Sequence, residues 1–248
     1  MKIGLKLWST NHLWFAEAVQ RFQNQEFDFI ELLAVPHSFN PEKLQILKAA
    51  DIPINIHCPN EHQFNPMKRW PENFTVYQEI LQFANFFHSE YIIFHPGFGT
   101  EKEILFENLE KMDDPRIVIE NVPFKPLKAQ EPLYGYTFAM MQELLTRTRK
   151  RFCLDFTHAI KSAASQKMDP KEFITQLMTI KPSIFHFSDG DRFLEQDQHF
   201  NLGEGNFDLK FNKTQVLKYP RAWVVLETPK ISNTLENDIK NIKFFKQL

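Results

Sequence analysis

Asp197 and His199 stand two residues apart, and Gly203 and Gly205 follow them in the run Asp-Gln-His-Phe-Asn-Leu-Gly-Glu-Gly-Asn-Phe-Asp that closes at Asp208. Carboxylate oxygen and imidazole nitrogen both bind zinc, and the glycines let the backbone turn tightly behind them. Alone, an Asp and a His beside a turn are ordinary loop residues. They matter because comparable side chains close the other apolar stretches of the chain: Glu31, His57, His95, Glu120, Asp155 with His158 three residues on, His186 with Asp189 after it, and Glu227. Any one of these is explained by a hydrogen-bonded core histidine or a salt-bridged acid. Together, with few Lys or Arg on the same stretches, they would cost several kcal/mol per uncompensated buried charge. Bound cations would supply the compensation, so a metal site is the expectation. Imidazoles mixed with carboxylates and no thiolate suit zinc first, with manganese or iron as alternatives.

These residues meet only if the elements carrying them converge. Eight short apolar runs recur along the chain: Ile3 to Trp8, Phe27 to Leu33, Ile54 to His57, Tyr91 to His95, Ile117 to Glu120, Phe152 to Asp155, Ile184 to Phe187 and Trp223 to Glu227. Continuous apolarity, as in Tyr91-Ile92-Ile93-Phe94, suits strands buried on both faces of a parallel sheet. Between the runs, Tyr77, Leu81 and Ala84 repeat at helical spacing, as do Leu235, Ile239, Ile242 and Phe245 near the end. Pro41, Pro71 and Asp169-Pro170 mark first helical turns. Eight strands alternating with helices predict an α/β chain folded as a single (β/α)8 barrel over residues 1–248. An open doubly wound sheet usually carries a glycine-rich phosphate loop after its first strand, where this chain has Trp8-Ser9-Thr10-Asn11. In a barrel the C-terminal strand ends converge on one pit, and the acids and histidines fall at those ends.

Composition narrows the partners. The chain has 248 residues, 43% hydrophobic and 24% charged, with a net charge of -2. That balance is globular, and it offers no global field to attract a polyanion; a nucleic-acid substrate would need a local basic patch. Cys58 and Cys153 fit no zinc-ribbon or redox spacing and read as buried, reduced thiols. Of the 26 phenylalanines most should pack the core, though the doublets Phe86-Phe87 and Phe244-Phe245 must each send one ring elsewhere. The opening Met-Lys-Ile-Gly-Leu-Lys-Leu is too short an apolar run for a signal peptide, and no run has the length of a membrane span. The expectation is a cytoplasmic protein without an obligate protein partner.

Over nearly its whole length the sequence resembles the endonuclease IV family (AP endonuclease family 2), within the xylose-isomerase-like barrels that also include sugar isomerases and epimerases. The likeness rests on His57, His95-Pro96-Gly97, Glu120-Asn121, Cys153-Leu154-Asp155-Phe156-Thr157-His158-Ala159, His186, Asp197-Gln198-His199 with Leu202-Gly203-Glu204-Gly205-Asn206, and Leu226-Glu227-Thr228. The resemblance implies up to three zinc ions: one held by His57, His95 and Glu120, a second by Glu120 as bridge with Asp155, His186 and Glu227, and a third by His158, Asp197 and His199. It further implies that such a cluster acidifies a shared water and neutralises phosphate charge, with Glu227 orienting or deprotonating the nucleophile. There are departures. After His57 the chain reads Cys-Pro-Asn-Glu-His-Gln-Phe, without a tyrosine to stack there, and Val122 to Gly135 is not the family's small-residue loop. Lys125 and Lys128 are a thin phosphate patch; Lys68-Arg69-Trp70 combines charge with a stacking surface, or is a solvated loop with one buried Trp.

Two activities follow. The first is hydrolysis of a phosphodiester by a multinuclear site, with abasic DNA as substrate. The second is isomerisation or epimerisation of a sugar or sugar phosphate, in which Glu120, Asp155, His186 and Glu227 hold one divalent metal, manganese included, while Glu120 and Glu227 shuttle a proton from opposite sides of the pit. The opening strand and Ile30-Glu31-Leu32 resemble the isomerase branch. His95, His158 and the Asp197/His199 pair, which a one-metal isomerase does not need, favour the hydrolase.

Overall fold

A computed structural model describes residues 1–125 and 131–248. Its strands are β1 (Lys2–Trp8), β2 (Phe29–Leu33), β3 (Ile54–His57), β4 (Ile92–Phe94), β5 (Ile117–Glu120), β6 (Arg151–Asp155), β7 (Ile184–Phe187) and β8 (Trp223–Leu226). Its helices are α1 (His12–Gln23), α2 (Pro41–Ala49), α3 (Trp70–Phe86), α4 (Lys102–Lys111), α5 (Phe138–Thr148), α6 (Phe156–Gln166), α7 (Pro170–Met178), α8 (Leu209–Leu217) and α9 (Glu236–Gln247). Each strand pairs in parallel with the next and β8 returns to β1, closing a (β/α)8 barrel. The sequence places all eight strands, but β4 is shorter than its apolar run: Tyr91 and His95 lie just outside it, as Phe27 lies outside β2 and Glu227 beyond β8.

Strand side chains alternate between the two faces of a sheet, and that alternation builds the site. Phe29, Tyr91, Ile93, Val118, Cys153, Ile184 and Val225 pack together, with Trp223 against them, as a plug separate from the larger core under the helices. Two residues further along the same strands come Glu31, His95, Glu120, Asp155, His186 and Glu227. The ionisable groups therefore form one layer resting directly on an apolar one. On β1 the corresponding pair is Gly4 and Lys6. A Cβ at Gly4 would stand 2.3 Å from the Phe29 ring, so the glycine makes room for the plug.

The helices close around this barrel with their apolar stripes inward. In α3, Tyr77, Ile80, Phe83 and Ala84 are buried, with Leu81 at the boundary; in α9, Ile239, Ile242 and Phe245 are buried and Leu235 sits at the N-cap. Phe244 is the exposed partner of its doublet. Asn40 and Asp169 cap α2 and α7 ahead of Pro41 and Pro170, each side chain accepting from first-turn amides. Both cysteines are free and buried. No described helix is long and apolar enough to cross a membrane.

Candidate metal centre

The nine side chains named from the sequence come together at the C-terminal end of the barrel. His57 Nε2 lies 3.0 Å and His95 Nε2 3.5 Å from Glu120 Oε2. The other oxygen of Glu120 lies 3.2 Å from His186 Nδ1, which also has Glu227 Oε1 at 3.3 Å and Asp155 Oδ2 at 3.8 Å. On the far side Asp197 divides its oxygens, Oδ1 being 3.0 Å from His199 Nε2 and Oδ2 3.5 Å from His158 Nε2. Glu120 thus reaches two groups with its two oxygens, and Glu227 and Asp155 meet it at one imidazole.

The outer nitrogens of the histidines decide how the inner ones point. His57 Nδ1 donates to the carbonyl of Cys58 at 2.7 Å, His158 Nδ1 to that of Asn121 at 2.9 Å, and His199 Nδ1 to that of Glu227 at 2.9 Å. A carbonyl only accepts, so in each ring the nitrogen facing it carries hydrogen. His95 Nδ1 faces the Glu61 carboxylate at 3.3 Å and His186 Nε2 faces Glu31 at 3.1 Å. An outer acceptor that fixes the ring and leaves the inner nitrogen for a cation is the usual arrangement around metal-bound histidine. Two orphaned atoms fit the same account: His95 Nε2 and Asp155 Oδ2 are buried without a hydrogen-bond partner. Asp155 Oδ1 is committed to capping α6, accepting from the amide of His158 at 2.7 Å, so one oxygen serves the helix and the other faces the centre.

Without a cation the cluster compensates itself with protons. Burial pulls the His95 imidazole down, but Glu120 and Glu61 outweigh it and raise it to about 9. Burial also opposes charge on His199, and Asp197 raises it to about 9. His158 and His186 are likewise raised, burial being overcome by Asp155 and Asp197 for the first and by a set of groups including Glu120 for the second. Burial would push the acids up, yet the charge of His186 holds Glu120 well below the ordinary carboxylate range, and the charge of His158 does the same for Asp197. Burial pushes the Cys153 and Cys58 thiols far up. Cys153 packs in the apolar plug one layer below Asp155 on β6, with its thiol within reach of Glu120 and His186.

Three residues were missed or left without a role. Lys6, buried on β1, donates to Glu31 at 2.7 Å and Glu227 at 2.5 Å. It is one of the few basic residues expected on these strands, and the signal for its role was available, since Lys6 follows Gly4 on the inward face and sits in register with Glu31. Lys6 nevertheless reaches only Glu31 and Glu227, and beside Glu120, Asp155 and Asp197 stand imidazoles whose protons bound cations would replace. Glu61, from the loop after β3, gave no sequence signal. Asp189 is fully engaged in the fold: its carboxylate accepts from the amides of Gly190, Gly203, Gly205 and Phe207 and hangs the Asp197/His199 loop from β7. The surface patches are weaker than the sequence suggests. Lys125 is paired with Glu195 and Lys68 with Glu72, and Trp70 packs edge-on against Tyr77, 5.5 Å between ring centres. Lys128 lies outside the described residues.

A cavity of about 270 Å³ opens above the cluster, lined by Lys6, Trp8, Asn60 and Lys230 along with six of the nine side chains. A closed parallel barrel whose C-terminal mouth gathers imidazoles and carboxylates beneath a small cavity defines a barrel protein of the metal-competent kind. The chain belongs to the xylose isomerase-like TIM barrel family, whose model matches residues 19–248. Among solved structures it is similar to endonuclease IV from Thermus thermophilus, at 21% identity and a TM-score of 0.76, covering 100% of this chain and 98% of that one. It is also similar to a D-tagatose 3-epimerase-like protein, at 18% identity and a TM-score of 0.73, covering 100% and 96%. D-allulose 3-epimerase from Methylomonas sp. follows at 15% identity and a TM-score of 0.65, covering 100% and 97%. No curated protein matches the sequence.

Proposed function

We propose that the chain is a metal-dependent hydrolase of phosphodiester bonds. His57, His95 and Glu120 would hold one cation, Glu120, Asp155, His186 and Glu227 a second, and His158, Asp197 and His199 a third, with zinc the first candidate. When bound, divalent cations of this kind acidify a coordinated water and offset phosphate charge. The chain's own part is positional: Glu120 links two groups through its two oxygens, and Glu227, on the cavity wall, is placed to orient or deprotonate a nucleophile. The observation that carries the reading is the outer pair of groups. His95 is aimed inward by Glu61, and His158 and His199 are aimed at Asp197 by main-chain carbonyls, none of which a single-cation site would require. Abasic DNA is the substrate this reading takes first, because a cavity of about 270 Å³ is of a size for one extruded sugar phosphate.

A second reading has its own support. Glu120, Glu227 and Asp155 all approach His186 Nδ1, the four groups that a one-cation reading uses, and Lys68 and Lys125 are each paired with a glutamate. On that reading the chain isomerises or epimerises a sugar or sugar phosphate, with Glu120 and Glu227 moving the proton. Elemental analysis of purified protein, with assays on abasic-site DNA and on a panel of ketoses and their phosphates, separates the two. Close to three metals per chain and strand cleavage, both lost in His95→Ala and His199→Ala, is the expected result. One metal per chain, ketose turnover and full activity in both variants would overturn the hydrolase.

A further inference from the structure

Lys6 makes two ion pairs, and its two partners differ in what else they touch. Glu31 is turned into the barrel, where Tyr91 Oη–H donates to it at 3.1 Å and His186 Nε2 lies 3.1 Å away. Glu227 faces the cavity, and its Oε1 is shared: the Lys6 ammonium is 2.5 Å from it, and His186 Nδ1, with Glu120 and Asp155 around it, is 3.3 Å from it. One carboxylate oxygen is therefore claimed from one side by a fixed positive charge and from the other by the position where a cation would sit. The Lys6 side chain is only 10% exposed, so solvent and salt screen this competition poorly. Among the described residues Lys6 forms ion pairs with none of His57, His95, His158, Asp197 and His199, and Glu227 is the one group of the nine that it holds directly.

We propose that Lys6 competes with a divalent cation for Glu227 and makes the position formed by Glu120, Asp155, His186 and Glu227 the weakest and last filled of the three. This rests on the metal reading above and adds what that reading does not contain: an internal counter-ion that keeps Glu227 paired while the position is empty, so the cluster tolerates partial loading. Lys6 is here a positioning residue, acting through Glu227.

The test is a zinc titration of the full chain against a competing chelator, comparing the natural protein with Lys6→Met and Lys6→Arg. The natural protein should show two tight sites and one weaker one. Lys6→Met should tighten the weak site about tenfold or more while the tight ones move little, and Lys6→Arg, which keeps the charge, should leave it weak. If Lys6→Met leaves the weakest site unchanged or loosens it, or if the natural protein binds all its zinc with one affinity, the proposal is wrong. Should Lys6→Met fail to fold, the double variant Lys6→Met/Glu31→Gln removes the ammonium together with the deeper acid it neutralises, and the same tightening is expected. A parallel phosphodiesterase assay keeps the two ideas apart. Affinities that follow the charge at position 6 without strand cleavage sustain the counter-ion and sink the hydrolase; cleavage with affinities indifferent to position 6 does the reverse.

Discussion

Glu61 touches His95 through the ring nitrogen that points away from the centre, and removing its charge should loosen a cation without touching a ligand. Outer carboxylates of this kind contribute about 10- to 100-fold in metal affinity. Glu61→Gln should therefore weaken the His57/His95/Glu120 site by a factor in that range, read by chelator competition, and an unchanged affinity would leave Glu61 as a loop acid only. The protons held by the cluster give a second expectation. His95 and His199 titrate at about 9 in the metal-free fold, so at neutral pH a cation must displace their protons. Zinc binding measured by calorimetry in two buffers of different ionisation heat should show protons released, fewer as the pH approaches 9. Identical heats in both buffers would mean that these imidazoles are not ligands.

At the scale of elements, the loop from Gly190 to Phe207 is carried by one carboxylate. Asp189 holds four of its amides, Gly203 turns with φ +88°, and a Cβ at Gly205 would stand 2.3 Å from the carbonyl oxygen of Gly190. Asp189→Ala strands those amides and should cost about 3 kcal/mol or more. Because the damage is confined to a loop, the barrel should keep its circular dichroism while metal content drops by the one ion assigned to His158, Asp197 and His199. Loss of all metal, or of none, would contradict that division. The glycine pair was legible in the sequence because glycine has few other reasons to recur at that spacing. The role of Asp189 was not, since an Asp after a strand looks the same whether it ligates a cation or anchors a turn.

For the whole molecule, the eight strands and the ligand layer were legible for one shared reason: a period of two on buried strands sets both the apolar plug and the groups above it. What escaped depended on register or on loops. Lys6 gains meaning only beside Glu31 across the β1/β2 ladder, and Glu61 lies in a stretch with no period at all. The charge layer also couples stability to pH. His95 and His199 have folded values of about 9 against an ordinary 6.5, so in the metal-free chain their stabilisation is complete below about 6.5 and is lost as pH rises towards 9. Urea midpoints of chelator-treated protein should fall across that window, whereas the zinc-loaded chain, whose imidazoles carry no such proton, should not share the fall. A flat midpoint in the treated protein would disprove the coupling.

Three of the five histidines of the centre are steered by main-chain oxygens, those of Cys58, Asn121 and Glu227. No replacement of a side chain deletes a peptide carbonyl, so this half of the steering is invisible to ordinary mutational scanning. The aim of these rings is inherited with the barrel backbone itself, whereas the Asn121 side chain has a separate task, bridging the amide and the carbonyl of Asp155, so a replacement there would disturb Asp155 before it turned His158.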